Sequence, residues 1–76
     1  GPEGDLASKV RQELARSPRT WHLPQPDVEV VAGTAILRGQ VPHETGKADI
    51  VRSAAAVAGV VAVDDHLAVA GTNGAT

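Results

Sequence analysis

Residue types that commonly carry catalysis are sparse in this sequence and lie far apart along it. Three histidines lie in separate segments and lack the spacing of metal ligands: His22, His43 and His66. The serines, Ser8, Ser17 and Ser53, lie outside any nucleophile motif, and no His-Glu-x-x-His sequence or phosphate-binding loop is present. With no cysteine, the chain has no thiolate nucleophile and no disulfide. We therefore expect a protein that is not an enzyme and that needs no cofactor.

Positive charge is concentrated on a predicted first helix and at its exit, next to the only tryptophan. The lipid-surface candidates are Lys9, Arg11, Arg16, Arg19 and Trp21. Each cation near an anionic membrane contributes about 1 kcal/mol to binding, and tryptophan favours the membrane interface. An ordinary solvated helix face has the same pattern, and Glu13 lowers the net charge of this one. The cluster predicts association with anionic phospholipid, with a solvated face as the alternative.

Two adjacent acidic residues, Asp64 and Asp65, are weak candidates for cation binding. Carboxylate oxygens suit hard cations, and a potassium site built from backbone carbonyls would leave no side-chain signature. The alternative is a polar bulge that ends strand pairing or protects a sheet edge. The sequence therefore gives no confident metal site.

The composition describes one small domain with an aliphatic core. At 76 residues, with 1% aromatic residues, the chain has room for a single core of Val, Leu, Ile and Ala. A formal net charge of -2 argues against nucleic acid as a partner. No apolar run reaches the roughly 20 residues of a membrane span, so the chain is not expected to be transmembrane. Gly1 and Pro2, with no initiator Met, suggest that residues 1–4 are a tag remnant or disordered.

The first half of the chain predicts a helix followed by a proline-rich connection. Apolar residues recur at every fourth position from Leu6 to Leu14, which predicts a helix from an N-cap at Asp5 to about Arg16. The connection, residues 19–26, is irregular. We expect two of its side chains to pack onto the core: Trp21 and Leu23.

A hairpin is predicted next, because two β-rich runs, 27–31 and 34–41, flank Ala32 and Gly33. Its register follows from the free-energy cost of the alternative, since slipping one strand by a residue would bury the Arg38 charge without a partner. The side chains predicted to face the core are Val28, Val30, Ala35, Leu37 and Val41. Ala32 is a poor residue for a type I′ turn, so the turn type stays open.

The second half predicts another helix and a third strand. The helix begins between His43 and Gly46 and runs to about Ala58, with Gly59 suited to follow its end. Its predicted buried stripe is Ile50, Val51, Ala54, Val57 and Ala58. In the third strand, residues 60–69, Asp65 has inward parity and so needs a rim position, a bulge or a partner.

These elements predict an α+β fold, a two-layer αββαβ sandwich whose three-stranded sheet is covered on one face by two helices. A right-handed crossover between the last two strands is expected. We expect strand order 2-1-3, because a third strand beside the first would let the second helix cover the hairpin.

Two glycine-anchored patterns resemble the BON family. The first, Val28-x-Val30-x-x-Gly33-x-Ala35-x-Leu37-x-Gly39-x-Val41, resembles its central hairpin, and Gly59-Val60-x-x-Val63-x-x-x-Leu67-x-Val69 resembles its closing signature. The resemblance covers residues 5–69, which are the predicted domain, while residues 70–76 are expected to be a flexible tail or linker. Ala35 departs from the pattern, because a larger aliphatic residue is common there.

The resemblance implies a non-catalytic binding or adaptor module of a bacterial envelope protein, located in the periplasm or cell envelope. It also implies association with phospholipid or with another envelope protein domain. Two alternatives follow from the other domains that occur in the same proteins as BON domains. One is a potassium-binding sensor of the type that carries a LysM domain, and the other is an accessory domain beside CBS domains in a cytoplasmic regulator.

Overall fold

The computed structural model of the chain describes residues 1–71. Its elements follow in the order α1 (Pro2–Arg16), β1 (Asp27–Val31), β2 (Thr34–Val41), α2 (Glu44–Ala55) and β3 (Ala62–Val69). The strands form one mixed sheet, and the helices pack their buried side chains against one face of it. The predicted αββαβ α+β class is therefore confirmed. Of the predicted tail, residues 72–76 lie outside the described residues.

The strand order is β1-β2-β3, so the predicted order 2-1-3 is wrong. β2 pairs antiparallel with β1 and parallel with β3. The physical reason is strand length, because β2 and β3 both have 8 residues and pair along their whole length, whereas β1 has 5. A longer partner satisfies more of the backbone N–H and C=O groups of β3. β2 is therefore the central strand, and β1 and β3 form the two edges.

Helix α1 begins at Pro2 and not after the predicted N-cap Asp5. Proline is favoured in the first turn, where its missing N–H would have no partner, and acidic Glu3 and Asp5 complement the helix dipole there. Residues 2–4 are therefore helical, which makes the expected disorder of this segment wrong; its origin as a tag remnant stays a prediction. The helix ends at Arg16, as predicted. Its buried side chains are Ala7, Val10 and Leu14.

The hairpin has the predicted two-residue turn and register. Both turn residues have positive φ, 51° at Ala32 and 81° at Gly33, as a type I′ turn requires. Glycine adopts this conformation readily, whereas a residue with a Cβ does so at a cost of roughly 1–2 kcal/mol. The Ala32 N–H donates to the Glu3 carboxylate, which ties the turn to α1. All the predicted inward side chains are buried: Val28, Val30, Ala35, Leu37 and Val41.

Helix α2 is shorter than predicted, because it ends at Ala55 and the chain then turns through residues 56–59. Ala58 is exposed, so its predicted place in the buried stripe is wrong. Gly59 leaves this turn with a φ of 101°, and a Cβ built there would lie 3.3 Å from Leu6 Cδ1. A residue with a side chain at position 59 would therefore need both a strained φ and a shift of Leu6. The buried residues of α2 are Gly46, Ile50 and Ala54.

The connection between α1 and β1 is held by Thr20 and not by Trp21. Thr20 is fully buried, and its Oγ1 donates to the Leu14 carbonyl at 2.7 Å. Leu23 is half-buried against the core, as predicted. Trp21 is 62% exposed, so its predicted packing onto the core is wrong. The physical reason is that neighbouring residues in a turn point apart, and Thr20 occupies the inward position.

The face of the sheet opposite the helices, here called the open face, alternates with the buried side chains along each strand. The register places Glu29, Ile36 and Asp64 side by side across it. The next row contains Asp27, Arg38 and His66. The helices therefore cover one face of the sheet, and the charged open face forms the opposite surface of the described molecule.

Candidate functional site

The basic side chains differ in whether they already have partners. Four form ion pairs: Arg16 with Glu13, Arg38 with Glu29, Lys47 with Asp65 and Arg52 with Asp49. Arg11 Nη1 donates to the Val28 carbonyl at 2.9 Å. Among the described residues, the side chains of Lys9 and Arg19 make neither an ion pair nor a hydrogen bond. These two cations are therefore free to meet an external anion.

Helix α1 carries its predicted lipid-surface candidates on two different sides. Lys9 and Arg16 line one groove of about 390 Å³ beside the turn that follows α2. Arg11 lies two positions from Lys9, about 200° around the helix, and its guanidinium is bound to β1. The structure therefore groups Lys9 with Arg16 and separates Arg11 from both. Arg16 is also held by Glu13 at 2.7 Å, which lowers the charge available to a ligand in that groove.

Arg19, Trp21 and His22 lie close together in the connection after α1. The turn that holds them continues from the helix, because the N–H groups of Thr20 and Trp21 both donate to the Ser17 carbonyl. The rings of Trp21 and His22 meet edge to face, with centroids 5.7 Å apart. Trp21 therefore projects from the surface in a short segment that also carries an unpaired guanidinium.

A groove of about 400 Å³, here called the connection groove, lies between this segment and the start of α2. Leu23 brings the two together, since a Cβ built on Gly46 would lie only 3.3 Å from Leu23 Cδ2. The polar side chains that line the groove are Arg19, His22, His43, Thr45 and Asp49. The fold thus gathers basic groups from both sides of the hairpin at one end of the helical layer.

The two carboxylates that were predicted as weak candidates for cation binding do not face a common site. Asp64 and Asp65 are consecutive strand residues, so their side chains lie on opposite faces of the sheet. Asp64 Oδ2 lies 3.0 Å from His66 Nε2 on the open face. Asp65 faces α2, where its Oδ2 lies 3.5 Å from Lys47 Nζ and its Oδ1 accepts the Leu67 N–H at 2.9 Å. Residues 1–71 contain no group of three or more His, Cys, Asp and Glu side chains placed to hold a metal ion.

Asp65 instead has an ion-pair partner, Lys47, and lies on an edge strand. A partner and a rim position were two of the three arrangements that its inward parity allowed. The parallel register, together with the Ala70 N–H bonded to Val41, directs the Leu67 N–H away from β2. Asp65 therefore satisfies an N–H group on the free edge of β3. Arg11 does the equivalent at the other edge, where it binds the Val28 carbonyl. Both contacts occupy backbone groups that another strand would otherwise use.

Sequence reasoning missed the grouping of His22 and His43, which are far apart in the chain but line one groove. Neither residue has a motif, because their proximity depends on how the connection packs against α2. The available signal was indirect: each histidine lies within two residues of a proline, Pro24 or Pro42, in a segment that enters or leaves the hairpin. The burial of Thr20 was also missed, because this residue lies in an irregular connection where no apolar pattern marks the inward positions.

The fold and the surface together define a small α+β module with polar and basic grooves. None of the helices in residues 1–71 is long and apolar enough to cross a membrane. A family model for the BON domain matches residues 2–71, and the chain belongs to that family. BON domains are generally non-catalytic binding modules and are associated with phospholipid binding. A search of curated proteins finds no match to this chain.

Proposed function

We propose that this BON domain is a non-catalytic adaptor that associates with anionic phospholipid surfaces through Trp21 and Arg19. The observation that carries the proposal is the exposure of Trp21, 62%, in a turn that also holds the unpaired Arg19. An exposed indole next to a free guanidinium combines an interfacial anchor with an attraction to headgroups. Membership of the BON family supports a lipid surface as the partner. The cell envelope or periplasm of a bacterium is the proposed location.

The geometry narrows the set of residues that act in this proposal. Arg11 is engaged with β1, and Arg16 is engaged with Glu13. Lys9 is free but lies in the other groove, which it shares with Arg16. Arg19 and Trp21 therefore form the centre of the proposed contact, and Lys9 contributes general attraction.

Vesicle co-sedimentation tests the proposal. At low salt, wild-type protein should bind vesicles that contain phosphatidylglycerol and should bind pure phosphatidylcholine vesicles poorly, with Trp21 emission moving to shorter wavelength. Added salt should weaken binding, because headgroup attraction is screened beyond about 8–10 Å at ordinary ionic strength. Arg19→Gln should weaken binding about fivefold, which corresponds to the roughly 1 kcal/mol of one interfacial cation.

The matched control is Arg38→Gln, which removes the same charge from the open face. It should bind nearly as well as wild type, since Arg38 is paired with Glu29 and lies on the other side of the sheet. Equal losses in the two variants would show that net charge alone matters. If wild type does not bind anionic vesicles at low salt, the proposal fails.

A further inference from the structure

We propose that the connection groove is a phosphate site, selective for a phosphate monoester, with Arg19, His22 and His43 as its donors. This inference deepens the proposed function, because the headgroup of an anionic lipid is one source of such a phosphate. A free phosphate is the other source. The shared chemistry is a compact anion with several exposed oxygens.

The lining of this groove distinguishes it from three other grooves on the described surface. All four grooves have similar volumes, about 370 to 400 Å³, so size does not choose between them. The two grooves beside β3 contain Lys47 together with Glu44, whose charges oppose each other. In the groove of Lys9, the second cation, Arg16, is held by Glu13. The connection groove alone among them combines an unpaired guanidinium with imidazole groups.

The charges around the groove favour an anion. The connection contributes Arg19 and His22, and the start of α2 contributes His43 and Asp49. Asp49 is the one carboxylate in the lining. Its Oδ1 lies 3.7 Å from Nη1 of Arg52, which is on the next turn of α2. Its negative charge is therefore offset from outside the groove, while Arg19 has no carboxylate partner among the described residues. The groove therefore presents the unpaired positive charge of Arg19 to a ligand, together with two imidazole groups.

These donors suit phosphate in particular. A guanidinium presents a planar fork that binds two phosphate oxygens at once, and an imidazole N–H binds a third. The Thr45 hydroxyl in the same lining offers another donor. A phosphate monoester carries close to two charges near neutral pH and has three free oxygens, whereas a diester carries one charge and has two. More donors can therefore be used by a monoester.

The test compares soluble phosphate with two lipids. Inorganic phosphate is titrated into ¹⁵N-labelled protein at one fixed pH near neutral, and the amide shifts are followed. We expect saturable shifts centred on His22, His43 and Thr45, the residues that line the groove. In co-sedimentation, vesicles of phosphatidylcholine with phosphatidic acid are matched in surface charge to vesicles with phosphatidylglycerol. Phosphatidic acid should bind about fivefold more tightly, as one additional charge contact predicts.

The variants separate the groove from general charge. The double variant Arg19→Gln/His43→Gln should lose the phosphate shifts and the preference for phosphatidic acid. Both side chains are exposed, so its melting temperature should stay close to that of wild type. His66→Gln is the matched control, since it removes an imidazole that lies on the open face. It should behave as wild type in both assays.

The outcomes distinguish this inference from the proposed function. Vesicle binding without a phosphate response or a monoester preference would overturn the inference and leave the lipid proposal intact. A saturable phosphate response at the groove without vesicle binding would support the inference, with free phosphate as the ligand, and overturn the lipid proposal. Amide shifts of equal size near every basic residue would show that the groove is not the phosphate site. Loss of the phosphate response in His66→Gln would show the same.

Discussion

Thr20 is the side chain that fixes the position of the proposed binding residues. Its hydroxyl replaces a partner that the Leu14 carbonyl has lost at the end of α1, and Gln25 Nε2 donates to the Thr20 carbonyl in turn. The connection that carries Arg19 and Trp21 is therefore fixed at its centre by a buried polar contact. No apolar packing of Trp21 is needed for this, which leaves the indole available to solvent.

Replacing Thr20 by valine tests this role. The change keeps the shape of the side chain but leaves the buried Leu14 carbonyl without its donor, which should lower the free energy of unfolding by about 1–3 kcal/mol. Thr34→Val is the matched control, because Thr34 lies at a β position on the open face and should change stability by about 0.5 kcal/mol or less. Urea denaturation measures both variants. Equal stability of the two would show that the Thr20 hydroxyl contributes nothing.

At the level of elements, the sequence specified the units of the fold better than their arrangement. The register of the hairpin was predictable because burying Arg38 would cost more than any misplaced methyl group, and Leu37 is indeed fully buried. The strand order was not, because local periodicity says nothing about which strand partners β3. The predicted bounds already made the second strand longer than the first, but the expected order was chosen so that the second helix would cover the hairpin, whereas β3 pairs along the whole length of β2.

The candidate site shows the same division. Exposed cations on α1 and after it were predictable from charge spacing, but their partners were not. Arg11 and Arg16 are engaged by a strand carbonyl and by Glu13, and only the packed structure shows this. His22 and His43 are brought to one groove by the contact of Leu23 with α2. A site assembled from two segments that are far apart in the chain therefore leaves little trace in either of them.

The free edge of β3 gives a prediction about association. Asp65 binds an outward N–H of that edge and also contacts Lys47, so Asp65→Ala should open the edge to pairing with another chain. We expect more concentration-dependent self-association than in wild type, measured by sedimentation velocity. Asp64→Ala removes the same charge from the open face and should not have this effect. If both variants associate equally, loss of charge and not the edge contact is responsible.

Across the whole molecule, the net charge lies on one surface. The chain has nine acidic and seven basic side chains. Of these, three acidic and one basic side chain lie on the open face: Asp27, Glu29, Asp64 and Arg38. The remaining six acids and six bases balance, so the open face accounts for the formal net charge of -2. An anionic membrane should therefore repel the open face and attract the end of the helical layer that carries Arg19.

This charge distribution predicts how the domain lies on a bilayer. Vesicles with phosphatidylglycerol and a nitroxide headgroup lipid should broaden the amide signals of Trp21, His22 and His43 more than those of Ile36 and His66. The first group belongs to the proposed contact, whereas the second lies on the open face, which like-charge repulsion keeps away from the headgroups. Vesicles without the nitroxide provide the reference intensities. Strongest broadening on the open face would contradict this orientation, and it would also mean that apolar contact by the strands outweighs the repulsion between their carboxylates and the lipid phosphates.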